Sequence, residues 1–277
     1  MLAITAVTSS LLLTFIIDFG IQFLFYIYSA LSKTEKLYDL SGSLTYQACA
    51  LVALLVRADP DTIQTLSARQ IIAAAGVLIW SLRLGIFLFI RVLRTEDKRF
   101  DQLKVNPLKF AVPWFLQVIW IYLTALPVWI ILGNPGINSR SDLFWADILG
   151  IIIWTFGFTV EVIADTQKFI FKNKHPNDFI STGIWRYSRY ANYFGEIVLW
   201  IGMFVLCTGG FVESWQWIAI ISPLFVAFLI TQVSGIPLLE KSSESRYGSR
   251  PDYQSYKAQT SKFFLWPPKR MPAEPLS

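Results

Sequence analysis

The residues best suited to chemistry lie in one short segment, Thr182 to Glu196, which reads Thr-Gly-Ile-Trp-Arg-Tyr-Ser-Arg-Tyr-Ala-Asn-Tyr-Phe-Gly-Glu. If a helix begins near Ser188, three positions recur every three or four residues along one face. They are Arg189, then Asn192 or Tyr193, and then Glu196. An ionisable group one turn inside a membrane span is costly and by default marks a functional site. An Arg–Glu pair that only closes the end of a span explains the same spacing equally well.

A second polar stripe precedes this segment, with spacings of i, i+4, i+7 and i+11. Its members are Glu161, Asp165, Lys168 and Lys172. One interpretation is a solvated helix face with i,i+4 pairs. The other is a site in which a carboxylate binds ribose or amide groups and ammonium groups bind phosphates. Because Lys174, Arg186 and Arg189 follow closely, the second interpretation predicts a multiply anionic cofactor.

The tail carries a third group of polar and aromatic residues. Glu240 and Glu244 lie one turn apart, and Tyr247-Gly248 is typical of a helix end. Further aromatic residues follow, among them Tyr253, Tyr256 and Trp266. This spacing favours a segment folded back on the membrane surface, and a plain amphipathic interfacial tail explains it too.

A fourth group lies deeper in apolar sequence. Arg83 is eight residues, about 12 Å of helix, from Arg91 at the end of its span. Asp18 lies within the first apolar segment with Gln22 one turn away, and Tyr46 begins the next one. Two interpretations remain: an Arg–Asp pair that locks helices together, or a polar floor in an apolar cavity.

Other kinds of site are excluded by the sequence. It contains no G-x-G-x-x-G, Walker, G-x-S-x-G or H-E-x-x-H motif, and His175 is its single histidine. With only Cys49 and Cys207 besides, neither a metal site nor a disulfide framework is expected. The chain has 277 residues, 54% of them hydrophobic and 16% charged, and a mean hydropathy of +0.49. This composition is that of an integral membrane protein and argues against nucleic-acid binding.

The elements that position these residues are therefore membrane helices, and the sequence predicts an all-α bundle of about seven spans. They are Ser10–Leu31, Leu44–Val56, Gln70–Arg91, Phe110–Leu132, Leu143–Ile163, Asn192–Leu206 and Trp215–Ser234. Of 24 lysines and arginines, 19 fall in the tail and the loops after spans one, three and five. This distribution predicts an outer amino terminus and a cytosolic carboxyl terminus. We expect one integral-membrane domain, 1–277, with a cofactor-binding part at 143–266.

The segment Gly183-Ile-Trp-Arg-x-x-Arg-x-x-Asn-Tyr-x-Gly-Glu196, then Glu240 and an Arg-Tyr-Gly…Tyr…Tyr tail, resembles steroid 5-alpha-reductase-like membrane oxidoreductases. The resemblance extends from about Asp18 to Trp266. It implies NADPH-dependent reduction of a carbon–carbon double bond in a hydrophobic lipid. Residue by residue, it implies that cofactor contacts come from two groups of positions. The closer matches are Asp165, Lys172, Asn192 and Glu196, with Tyr193 and Glu240 in the same motifs, and the looser ones are Trp185, Arg189, Arg246 and Tyr247.

The sequence also departs from that family. Its members use a Glu in an early span, with a Tyr, to polarise the substrate carbonyl, and spans two and three here contain no Glu. Tyr46, Arg83 and Asp18 are the available replacements, so we expect them to carry the catalytic role.

Two rival functions remain open. Isoprenylcysteine and phospholipid methyltransferases have a similar helix and tail around S-adenosylmethionine, which has no phosphates. The five cations from Lys168 to Arg189 favour a phosphate-bearing cofactor. The other rival is a non-enzymatic lipid-binding protein. The expected location is the endoplasmic reticulum membrane in a eukaryote and the inner membrane in a bacterium. No oligomeric state is predicted.

Overall fold

The computed structural model describes residues 2–55, 66–94, 100–134 and 143–269. Within these ranges the chain is helical and contains no strand, which confirms the predicted all-α bundle. The α-helices are α1 Leu2–Ser32, α2 Tyr38–Leu55, α3 Ala68–Arg94, α4 Pro107–Thr124, α5 Leu126–Leu132, α6 Trp145–Lys174, α7 Ala191–Thr208, α8 Ile221–Phe228, α9 Ile236–Tyr247 and α10 Pro251–Gln259. Short 3₁₀ helices occupy Gly183–Arg186 and Ser214–Ile220, and a π-helix occupies Leu229–Val233.

Six of the described helical segments are long and apolar enough to cross a membrane, whereas the sequence predicted about seven. They are Val7–Ser32, Ala68–Leu93, Pro107–Thr124, Trp145–Lys174, Ala191–Thr208 and Ser214–Tyr247. The predicted second span is helix α2, which starts at Tyr38 and brings Asp39, Ser41 and Ser43 into its first turns. These polar residues lower its hydropathy, and Ser41 and Ser43 are buried. The orientation of the termini stays a prediction.

The predicted fourth span is divided into α4 and α5. Pro127 lies in the first turn of α5 and has no N–H with which to continue the helical ladder. Ala125, between the two helices, has φ −98° and ψ 15°, which lies outside the α-helical region. All seven residues of α5 are buried, so this short helix belongs to the protein core.

The chain forms two compact units, each built from two stretches. Unit 1 comprises 1–150 and 203–222, and unit 2 comprises 151–202 and 223–277. In unit 1, α2 packs against α1 and α3, and α1 also packs against α4 and α5. A single integral-membrane domain with its cofactor part at 143–266 stays a prediction.

An Arg–Asp pair does lock helices of unit 1, but its members are Arg69 and Asp147. Arg69 Nε lies 2.5 Å from Asp147 Oδ1 and Nη2 lies 2.7 Å from Oδ2, and both side chains are about 1% exposed or less. The Phe144 N–H also donates to Asp147 Oδ2, at 2.8 Å. This pair joins the starts of α3 and α6. The expected pairing of Arg83 with Asp18 is not made, because neither Asp18 oxygen has a hydrogen-bond partner among the described residues.

Candidate functional site

The 3₁₀ turn Gly183–Arg186 of unit 2 is fastened to α6. The Trp185 indole N–H donates to the Ala164 carbonyl at 3.0 Å, and its ring is buried beneath the Lys168 ammonium, 4.9 Å from the centroid. The Ile184 N–H donates to Gln167 Oε1 at 2.9 Å. Gly183 has φ +62°, a conformation that favours glycine. The predicted cofactor residue Trp185 therefore serves first as the anchor of this loop.

Lys172 fastens the next part of the loop. Its ammonium donates to the carbonyls of Asp178 and Pro176, at 2.5 and 3.3 Å, and to Tyr247 Oη at 3.1 Å. An ammonium has three hydrogens, so all are used. Lys172 and Tyr247, both predicted cofactor residues, are thus brought together by Asp178. Lys172 would reach a phosphate only by giving up one of these contacts.

An aromatic cluster surrounds this contact. Phe179 packs against Tyr247, Tyr253 and Tyr256, with ring centroids 5.1 to 5.6 Å apart. Arg250 lies 5.0 Å from the Phe179 centroid and pairs with Asp178 at 2.9 Å. The cluster holds α9 and α10 against the loop that follows α6.

Helix α7 begins at Ala191, three residues later than the predicted start at Ser188. Ser188 Oγ accepts from the Tyr190 N–H at 3.2 Å and donates to the Phe263 carbonyl at 2.7 Å. The Arg189 N–H donates to the carbonyl of Ser261 at 2.9 Å. These contacts with the tail keep residues 188–190 out of the helix. Arg189 therefore precedes the helical face on which Asn192 and Glu196 lie one turn apart.

A network of three charges lies at the start of α7. Arg189 Nη1 is 2.8 Å from Glu240 Oε1, and Lys262 Nζ is 2.9 Å from Glu240 Oε2. The predicted residues Arg189 and Glu240 are therefore direct partners. Lys262, the third member, was not predicted, because the sequence offers no signal that links position 262 to position 240.

Two buried polar atoms beside this network have no partner among the described residues. They are Arg189 Nε, a donor, and Asn192 Oδ1, an acceptor. Buried polar groups are normally satisfied, and each one left without a partner costs about 1–3 kcal/mol. An acceptor group of a ligand would satisfy Arg189 Nε, and a donor group would satisfy Asn192 Oδ1.

Carboxyl groups lie on the facing helix. Glu161 and Asp165 of α6 are 2% and 7% exposed. Glu196 is half-buried, five residues into α7, so about 8 Å along the helix. A Cβ on Gly195 would lie 2.6 Å from the Glu161 backbone nitrogen. The space beside this glycine is therefore filled by the backbone of α6 and not by a flat ligand.

Two tyrosines of unit 2 that lie outside the spans, Tyr190 and Tyr256, have a raised pKa. Burial raises the pKa of Tyr190, and the nearby Glu240 carboxylate adds to the effect. Burial also raises the pKa of Tyr256, whose hydroxyl donates to the Trp185 carbonyl at 2.7 Å. Tyr193, a predicted cofactor residue, stacks on Tyr190 at 6.3 Å.

The predicted catalytic residues all lie in unit 1, on the three adjacent helices α1, α2 and α3. Asp18 is fully buried in α1. Tyr46 is buried in α2, with its ring edge-on to Trp80 at 5.1 Å. Arg83 is half-buried in α3, and its guanidinium lies 5.4 Å from the Phe87 centroid.

One predicted cofactor residue is exposed, and two residues of the aromatic cluster were not predicted. Arg246, a predicted cofactor residue, is exposed at the end of α9. Phe179 and Arg250 were missed, although the Arg250-Pro251 sequence at a helix start was a usable signal. No group of three or more metal-ligating side chains occurs among the described residues.

Comparison with known proteins gives one result. A family model described as "Protein of unknown function (DUF1295)" matches residues 25–260, which is most of the chain. No curated protein and no solved structure matches. The matched region contains α2 to α10 and every cofactor residue predicted above. The chain therefore belongs to the DUF1295 family, a membrane family of the steroid 5-alpha-reductase-like kind.

Proposed function

We propose that this membrane protein is an oxidoreductase that uses NADPH to reduce a carbon–carbon double bond in a lipid. The observation that carries the proposal is the pair of unsatisfied buried atoms, Arg189 Nε and Asn192 Oδ1, at the start of α7. A dinucleotide offers both complements, since its phosphates and carbonyl accept and its carboxamide, amino and hydroxyl groups donate. Membership of a steroid 5-alpha-reductase-like family supports the same reaction class.

The cofactor would be held in unit 2 by residues of three kinds. Asn192 and Arg189 would bind it directly, and the Asp165 and Glu196 carboxyls would accept from its ribose or amide groups. Exposed Lys174 and Arg186 are available for its phosphates, since Lys172 is committed to the loop. Tyr193 adds an aromatic face. Trp185, Tyr247 and Glu240 would act by holding these groups in place, and exposed Arg246 stays a prediction.

When bound, NADPH supplies a hydride to one carbon of the double bond. The second carbon must receive a proton, and the catalytic role of Asp18 stays a prediction from the sequence. Asp18 is fully buried, and neither of its oxygens has a hydrogen-bond partner among the described residues. Tyr46 and Arg83 stay candidates for polarising the substrate carbonyl, which lowers the barrier because charge develops on that oxygen in the transition state.

The first test is calorimetric titration of the detergent-purified protein with NADPH, NADH and S-adenosylmethionine in parallel. We expect NADPH to bind, and its affinity to fall as salt rises because phosphate contacts are screened. Asn192→Ala removes one hydrogen bond and should weaken binding about tenfold, and Glu196→Ala should weaken it too. Gln254→Ala is the matched control, since Gln254 is an exposed amide on α10 and should leave affinity unchanged.

The outcomes separate the three functions. Binding of S-adenosylmethionine alone would replace the reductase with a methyltransferase in the same site. Binding of none of the three would leave a non-enzymatic lipid-binding protein. Once NADPH binding is established, loss of NADPH absorbance with lipid enones in nanodiscs measures turnover. Asp18→Asn should keep NADPH affinity and lose turnover, whereas unchanged turnover would remove Asp18 from the mechanism.

A further inference from the structure

Residues 260–269, here named the strap, run along the segment that precedes α7. The Arg189 N–H donates to the Ser261 carbonyl at 2.9 Å, and the Trp266 N–H donates to the Tyr187 carbonyl at 3.1 Å. Ser188 Oγ adds a bond to the Phe263 carbonyl at 2.7 Å. Three hydrogen bonds therefore fix the strap to residues 187–189.

The level of the strap relative to a bilayer follows from α7. A candidate membrane span begins at Ala191, directly after the residues that the strap binds. Phe194, in the first turn of that span, contacts Phe263 and Phe264 with ring centroids 5.5 and 6.2 Å apart. The strap thus lies beside the end of a membrane helix, where hydrocarbon gives way to headgroups.

The strap exposes alternate side chains, as an extended segment does. Phe263 packs on Phe194, and Leu265 packs on the buried cluster around Trp185. Phe264 also contacts Phe194 and Phe263, yet it is 65% exposed, and Trp266 is 69% exposed. The packing of unit 2 therefore leaves most of the surface of both rings uncovered at this level.

The charge of this segment has one sign. From Lys257 to Lys269 the sequence contains three lysines and no acidic residue. Lys262 shares Glu240 with Arg189 but is 54% exposed, and Lys269 is exposed. Lysine stems lie along apolar surface while their ammonium groups reach outward to phosphates.

We propose that the strap is a binding surface for anionic phospholipid. Phe264 and Trp266 lie among the glycerol and upper acyl groups, and Lys262 and Lys269 contact the lipid phosphates. Aromatic rings prefer this interface. Each lysine near an anionic surface raises the affinity for that surface about fivefold. The inference stands whether or not unit 2 binds a dinucleotide, since none of its contacts involves one.

The test uses a fluorophore on Phe264→Cys in the full-length protein, reconstituted in nanodiscs. Native Cys49 and Cys207 are buried and should not react. Phosphatidylcholine or phosphatidylglycerol, each brominated near the top of its acyl chains, serves as quencher. We expect both lipids to quench, with about fivefold or greater preference for phosphatidylglycerol, and Lys269→Glu to abolish that preference.

A label on Asp252→Cys is the matched control, because Asp252 is exposed on α10 outside the strap. Each lipid should quench the label at 252 less strongly than the label at 264. Equal quenching by the two lipids at 264 would overturn the proposed recognition of anionic lipid. Absence of quenching at 264 would refute a lipid surface altogether and indicate a protein partner instead.

Discussion

Replacement of Gly195 by alanine tests how closely α6 and α7 must approach in unit 2. The added Cβ would lie 2.6 Å from the Glu161 nitrogen, 2.7 Å from the Gly157 oxygen and 3.0 Å from the Glu161 Cα. All three neighbours are helix backbone, so no flexible side chain can yield. Ordinary contact needs about 3.4–4 Å, and α7 must therefore shift by nearly 1 Å. Overpacking of this kind costs about 1–3 kcal/mol.

Gly20→Ala provides the matched control, because a Cβ at Gly20 meets nothing within 4 Å. There alanine should stabilise α1 by up to about 1 kcal/mol through its helix propensity. Gly195→Ala gains the same propensity, so relative to Gly20→Ala it should be less stable by the overpacking cost of about 1–3 kcal/mol. For a chain of this size each kcal/mol shifts the melting temperature by about 2 °C.

The assay is thermal unfolding in detergent, followed by NADPH titration at a temperature where both variants are folded. Gly195→Ala should melt several degrees below Gly20→Ala and bind NADPH more weakly, because Asn192 and Glu196 move with α7. Equal melting temperatures would refute the close approach of the two helices. Lower stability with unchanged NADPH affinity would separate the packing from the cofactor site.

Three further predictions use the same unfolding assay. Asp147→Asn should cost about 3–5 kcal/mol, because it removes the carboxylate that two nitrogens of the buried Arg69 guanidinium contact. The exposed pair of Glu244 and Lys257 is the control, and Glu244→Gln should leave the melting temperature almost unchanged. Gly183→Ala should cost about 1–2 kcal/mol from its positive φ alone, and an unchanged melting temperature would contradict that backbone conformation. Tyr256→Phe should cost about 1 kcal/mol for the hydrogen bond to the Trp185 carbonyl, and a neutral result would mean that water replaces it.

The hydropathy of the chain was sufficient to predict most of the fold. Membrane helices are dictated by local composition, so runs such as Ala191–Thr208 were located to within two residues. Helix α2 did not meet the hydropathy criterion for a span because its first turns are polar. Burial of Ser41 and Ser43 within the protein compensates for that polarity. The helical face assumed to begin near Ser188 was wrong, because residues 188 and 189 bond to Phe263 and Ser261, more than seventy residues away, which no local pattern encodes.

Pairings between helices were the hardest feature to predict. A sequence gives the depth of Asp18 and Arg83 in the membrane, but not the rotation of each helix about its axis. The same limit hid the pairing of Arg69 with Asp147, whose positions are 78 residues apart. Within unit 2 the residues around Asn192 could be grouped from the sequence because they lie close together along the chain, and their cofactor role stays a prediction.

The polar groups of the described structure separate what the fold needs from what a ligand would supply. In unit 1 the Gln22 amide donates to Thr45 Oγ1, and the Thr45 hydroxyl donates to the Ser41 carbonyl. Asp18 receives none of these hydrogens. In unit 2 the Arg189 guanidinium satisfies Glu240 yet leaves Nε unused. An unpartnered buried group lowers stability, so the buried carboxyl of Asp18 costs the fold free energy. Its catalytic role stays a prediction, which the turnover of the Asp18→Asn variant tests.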